Sequence, residues 1–391
     1  MKFEVVVALA VVRFGAVASR YRILSMIGSI ALATGCSTVN DSSREAGYRA
    51  LSATEGRSLV ARLLPDTLAD RSGWATDIYA AFASLDLPPS PENICAAIAV
   101  TAQESGFQAD PVVPGLAGIT RKEIDRRREG AGIPAFALDA ALSLESKDGR
   151  SYSERLDAAK TEMQLSEIYE DFISRVPFGK TLFADRNPVR TGGPMQVSIA
   201  FAETFTGEKP YPYAVTRGIR HEVFTRRGGL YFGIAHLLSY PAPYTRHLYR
   251  FADFNTGQYS SRNAAFQSAV TQVSGIPLEL DGDLLRYDRG NPSRDPGATE
   301  LALRVIARRL DTSNEDIRRD LESEKVPAFE RTRLYRKLFE LADRVTHASA
   351  PRAVVPHIAL QSPKITRKLT SDWFASRVET RYQACLKRAP A

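Results

Sequence analysis

No apolar run in this chain approaches the ~20 residues that a helix needs to cross a bilayer. Val5–Val12 stops at Arg13, and Ile23–Leu32 starts after Arg22 and gives way to small residues. Histidine is scarce, five in 391 residues, and none is spaced for metal. His221-Glu222 opens like a zincin helix, but Thr225 stands where the second histidine belongs, and His236 and His247 are scattered. No Gly-rich phosphate loop occurs, and no serine sits in a nucleophile elbow. No cofactor and no metal are therefore expected. Alternating apolar and polar runs, internal repeats and long low-complexity tracts are also missing, which leaves an all-α expectation. The formal charge of +7 is small for 391 residues. With no nucleic-acid motif, it gives no reason to expect a DNA or RNA partner.

What is present begins at the N-terminus. Lys2, Arg13, Arg20 and Arg22 precede the short apolar run, and Ala33-Thr34-Gly35 then leads into Cys36. A basic start, a short apolar core and small residues make a secretory signal. A cysteine directly after them resembles the bacterial lipobox, with Ala33 where leucine is usual. The resemblance implies cleavage before Cys36 and acylation of its thiol, which anchors the mature chain to a membrane. Ser37 follows where inner-membrane retention usually has aspartate, so the outer membrane is implied. The domain would then lie in the periplasm or at the cell surface. Polar Ser37–Ala46 reads as a tether. Without the four cations and one anion of residues 1–35, the formal charge falls from +7 to +4. That suits a polyanionic partner such as cell-wall glycan or lipid headgroups, and equally an ordinary solvated surface. Cys95 and Cys385 remain, either as a disulfide or as two independent buried thiols.

With 44% hydrophobic and 25% charged residues the composition is globular. Three- and four-residue apolar spacing predicts helices over Glu55–Leu64 and Gly73–Leu85. Ser90-Pro91-Glu92 supplies a cap, a first-turn proline and an acid for a very apolar helix running to about Ser105. A charged helical block covers Thr120–Arg175. Helices resume around Ser198–Phe205, Gly229–Ser239 and Tyr244–Asn255, and a basic helical region runs from Ala298 to Lys387. The expected segments are 1–35 (signal), 36–50 (lipidated cysteine and tether), 51–119 and 191–281 (two parts of one domain), 120–190 (helical insertion) and 282–391 (basic C-terminal region).

An acid at the end of so apolar a helix needs a reason. If Glu104 is buried, it must be paired, exposed in a cleft or held protonated. A protonated carboxyl is what a general acid in glycoside cleavage requires. A helix-end glutamate facing solvent is the plainer alternative.

The order of the motifs adds to this. Ile98–Phe107, with Gln103-Glu104-Ser105-Gly106-Phe107 at its end, resembles the first motif of the soluble lytic transglycosylases. Gly193-Pro194-Met195-Gln196-Val197 is similar to their second, and Gly229–Leu238 to the helix after it. Ala252-Asp253-Phe254-Asn255-Thr256-Gly257 is similar to their tyrosine-asparagine-alanine-glycine motif. Val378-Glu379-Thr380-Arg381-Tyr382 faintly resembles a fourth. The likeness covers about Ser90–Thr271, and the chain also resembles the YaiW type of Gram-negative envelope lipoprotein.

The resemblance implies a lysozyme-like α fold that cuts peptidoglycan between N-acetylmuramic acid and N-acetylglucosamine. Glu104 would be the single acid and base, oriented by Ser105. Met195, Gln196, Phe254, Asn255 and Gly257 would line the sugar site. Four departures bear on activity: the Thr120–Arg175 block is inserted, Pro194 replaces leucine, Thr256 replaces alanine, and Phe254 lacks the tyrosine hydroxyl. A catalytically inactive lipoprotein that binds glycan, or an envelope protein partner, is therefore the alternative.

Overall fold

The computed structural model describes residues 51–175, 181, 183–288, 290–360 and 369–390. The expected signal, Cys36 and the tether lie outside the described residues.

Helix starts follow local chemistry. Ser52 and Glu55 exchange hydrogen bonds as a capping box on α1 (Ala53–Leu63). Asp70 caps α2 (Arg71–Ser84). Ser90 caps α3 (Pro91–Glu104), with Pro91 in the first turn. Every residue of α3 from Ile94 to Thr101 is buried, as a helix apolar on all sides must be.

The chain divides into two compact units. The smaller contains Leu116–Ala159 and Ser166–Asn187. Its helices are α4 (Leu116–Gly130), α5 (Ala135–Leu142), α6 (Tyr152–Ala158) and most of α7 (Glu162–Ser174). Around Asp171 it is tied by charge: Arg155 approaches within 2.7 Å and Lys147 within 3.0 Å. The Tyr152 ring meets Phe172 edge-on at 5.1 Å.

The larger unit contains Leu51–Gly115, Lys160–Leu165 and the chain from Pro188 onward. A short hairpin pairs β1 (Thr191–Gly192) with β2 (Val197–Ser198). After it come α8 (Ile199–Glu208), α9 (Ile219–Val223), α10 (Arg226–Leu238), α11 (His247–Thr256) and α12 (Ser260–Ser274). Helix α10 is the hub, packing on α2, α3, β2, α8, α9 and α11. A second hairpin, β3 (Tyr287–Asp288) with β4 (Asn291–Pro292), precedes α13 (Ala298–Val305), α14 (Asn314–Leu321) and α15 (Arg333–Thr346). These three helices share a core with α12, floored by Phe266, Phe329 and Phe339. Arg262 is wholly buried beside it. Its guanidinium lies over Tyr259 at 4.3 Å and donates to the carbonyls of Glu324 and Val326.

Hairpin β5 (Ala359–Leu360) with β6 (Leu369–Thr370) leads into α16 (Ser371–Leu386). This helix packs on α3 and α11, and a disulfide joins Cys385 to Cys95 with the Cα atoms 5.5 Å apart.

The fold is thus mainly helical, with two corrections. Among the described residues three antiparallel strand pairs are present, each strand only two residues long, too short to leave an alternating pattern. The C-terminal region is not one helical run, because prolines at 327, 351 and 356 interrupt it.

Candidate functional site

Glu104 is the last residue of α3 and is half-buried. A helix C-terminus is the negative end of the backbone dipole, an unfavourable place for a carboxylate charge. Ser105, expected to orient Glu104, is buried beside it. Its hydroxyl donates to the Thr101 carbonyl and accepts from Gln108 N, both at 3.2 Å, so it closes the turn. The backbone then takes two successive left-handed residues, Gly106 at φ 58° and Phe107 at φ 65°. A phenylalanine there is strained and needs an anchor. The anchor is Trp74, met edge-on at 5.3 Å. The Arg226 guanidinium lies over the same indole at 5.4 Å and bridges Asp70 and Asp77.

The second motif lies on α10 along a glycine stripe. A Cβ on Gly229 would stand 2.3 Å from Pro194 Cδ, and one on Gly233 would stand 2.6 Å from Met195 Cβ. Met195 is fully buried in that notch. The expectation that it lines a sugar groove is corrected: it is a core side chain whose thioether faces Gly233. Gln196 is only half-buried and takes φ 50°. Its side-chain amide donates to Gly193 O at 3.2 Å.

The third motif closes α11. Phe254 is half-buried and meets His236 edge-on at 5.2 Å. Asn255 is exposed, and Gly257 ends the helix at φ 109°, which glycine alone adopts readily. Asp253 is the fully buried acid of this motif. It accepts from the hydroxyls of Tyr240, Tyr244 and Ser260 and from the backbone of Tyr259 and Ser261.

The three segments carrying Glu104, Gln196 and Asn255 therefore meet one element: α3, β2 and α11 all pack on α10. Among the described residues, two buried polar atoms on the motif-bearing elements have no hydrogen-bond partner, Gln103 Oε1, next in sequence to Glu104, and His236 Nδ1, whose ring meets Phe254. Burial holds the His236 imidazole down at about 4, so it is neutral at pH 7. Among the described residues, no group of His, Cys, Asp and Glu could hold a metal ion.

Residues 67–388 match the family described as Protein of unknown function (DUF1615). The chain belongs to this family. Among DUF1615 relatives, the Uncharacterized protein YaiW of Escherichia coli (strain K12) is 52% identical over 365 residues, covering 93% of this chain and 98% of that one. No solved structure matches.

Sequence reasoning passed over two features of this DUF1615 chain. His247 sits between Asn93 Oδ1 at 3.3 Å and the Tyr382 hydroxyl at 3.4 Å, linking α3, α11 and α16. Its imidazole is likewise held down at about 4 by burial and by Arg250. Tyr382 belongs to the faint fourth motif, which α16 carries against both motif-bearing helices. The signal available was that motif's final tyrosine. Asp253 gave a second signal, an acid beside four residues of otherwise recognisable motif.

Proposed function

We propose that this protein is a lipid-anchored peptidoglycan lytic transglycosylase with a lysozyme-like helical core. The observation that carries the reading is the gathering of the Glu104, Gln196 and Asn255 segments on α10. Left-handed Phe107 and Gln196 support it, because strain of this kind persists where function needs it. The two unpartnered polar atoms support it too, since a bound sugar offers many hydroxyls.

In this reading the Glu104 carboxyl gives its proton to the glycosidic oxygen as the C1–O bond breaks. The muramic 6-hydroxyl then closes on C1 and returns its proton to Glu104. No second carboxylate is required, unlike the usual two-acid glycosidase. Gln196, Phe254 and Asn255 would hold the glycan. Cys36 would carry the acyl anchor, with the domain on the outer membrane facing the periplasm or the cell surface. Loss of palmitate label in Cys36→Ser is the expected sign of the anchor.

The test is muropeptide analysis of purified sacculi incubated with the protein. The expected product is 1,6-anhydromuropeptide, and Glu104→Gln should lower its release ~10²–10⁴-fold while glycan binding survives. Equal activity of Glu104→Gln would refute the mechanism. Glycan binding without cleavage by the unaltered protein would favour the second reading, a non-cutting binder. Phe254, with no hydroxyl where that family has tyrosine, is the residue that favours it.

A further inference from the structure

The smaller unit carries an apolar tip that its own core does not use. Between α4 and α5 the chain runs Gly130-Ala131-Gly132-Ile133-Pro134-Ala135-Phe136, and no charged or polar side chain occurs until Asp139. Phe136 is 70% exposed, among the most exposed large apolar side chains of the described residues. The tip is held in place. Arg128 Nη1 donates to Ile133 O and Ile133 N donates to Arg128 O, both at 3.0 Å. At the far end of α5, Ala141 and Leu142 are buried. Phe136 is thus presented to solvent by an ordered turn when it could have folded back.

One turn behind the tip stand Arg126 and Arg127, with side chains 72% and 54% exposed. Both pair with Glu123, which is only 28% exposed, and Arg128 pairs with Asp125 and Glu129, 60% and 70% exposed, so Arg126 and Arg127 are the exposed cations of a surface that carries both signs.

We infer that this tip docks on an anionic lipid surface, Phe136 entering the boundary between headgroups and acyl chains and Arg126 and Arg127 meeting lipid phosphates. Apolar side chains buried a few ångströms below a cationic collar are how amphipathic elements sit at that interface. A protein partner would need a broader complementary patch, since stable interfaces bury roughly 1,200–2,000 Å², and here charged residues close in on both sides. The inference is independent of the lyase reading.

The test uses the full chain with Cys36→Ser, so that acylation plays no part. Phe136→Cys is labelled with an environment-sensitive fluorophore, and a second chain is labelled at the exposed Val215 by Val215→Cys. Vesicles contain phosphatidylcholine with or without phosphatidylglycerol, and brominated lipids report depth. A blue shift and bromine quenching at position 136 alone, growing with the phosphatidylglycerol fraction, is expected. In unlabelled chains, Phe136→Asp should lower vesicle partitioning at least tenfold with an unchanged melting temperature. A water-like label at 136 on vesicle-bound chain would overturn the inference, as would equal responses at 136 and 215. So would occlusion of the 136 label by a protein in the absence of vesicles.

Discussion

Asp253, Glu300 and Glu324 are all buried, yet each is held by a different chemistry. Asp253 collects hydroxyl and amide donors. Glu300 takes Arg304 at 2.6 Å and Arg318 at 3.1 Å. Glu324 accepts only from Leu284 N and the Tyr287 hydroxyl, and burial pushes it up from 4.5 to about 7. That last group makes a testable pH signature. Between about 4.5 and 7 the folded chain binds a proton at Glu324 that the unfolded chain releases, so this group's contribution to stability falls as pH rises. The two depressed histidines have the opposite sign: their contribution is complete above 6.5 and lost as pH falls toward about 4. Glu324→Gln should therefore steepen the rise of stability with pH between about 4.5 and 6.5, as measured by denaturant titration. An unchanged slope would mean that Glu324 does not titrate in that window. At this scale the sequence was legible where burial follows from neighbours, as along α3. It was less legible where burial comes from tertiary contacts: Glu104 at the end of the apolar helix is half-buried, while Asp253, Glu300 and Glu324 are the fully buried acids.

The elements were more legible than the side chains. Caps at Ser90 and the 3.6-residue spacing located α3, and Gly229–Ser239 came close to α10. Their contacts were not legible, because the glycine stripe reads in sequence only as weak helix propensity. Packing gives those glycines their meaning. Gly233→Ala would set a new Cβ 2.6 Å from Met195 Cβ, and the expected cost is roughly 1–3 kcal/mol from overpacking, by chemical denaturation. Adding Met195→Ala should recover little, because the Cβ contact persists. Full recovery would show that only the flexible thioether was in the way.

For the whole molecule, two organising features came from composition and one did not. An even pair of leftover cysteines suggested a bridge, and the periodicity suggested helices. The charged block was expected as an insertion over 120–190, and the smaller compact unit takes Leu116–Ala159 and Ser166–Asn187; that Lys160–Leu165 joins the larger unit was not legible, since unit membership is a property of contacts between segments separated by many residues. The bridge spans 290 positions, so chain entropy sets an upper limit of about 5–6 kcal/mol on its contribution. Cys95→Ser with Cys385→Ser should lower the unfolding free energy by several kcal/mol within that limit, and reductant should do the same to the unaltered chain. No change in either case would mean that packing of α16 on α3 suffices alone.

The placement of α16 also bears on time. Helix α3 is synthesised well before α16, yet α16 covers one side of α3 and of α11. Long sequence separation between contacting elements slows folding, because their loop must close before the contact repays it. A chain emerging from its N-terminal end would thus carry an apolar α3, wanting cover, while about 290 further residues are made. Anything that holds or shields a nascent chain would find its natural substrate in Ile94–Thr101, and would be released when residues 371–386 arrive.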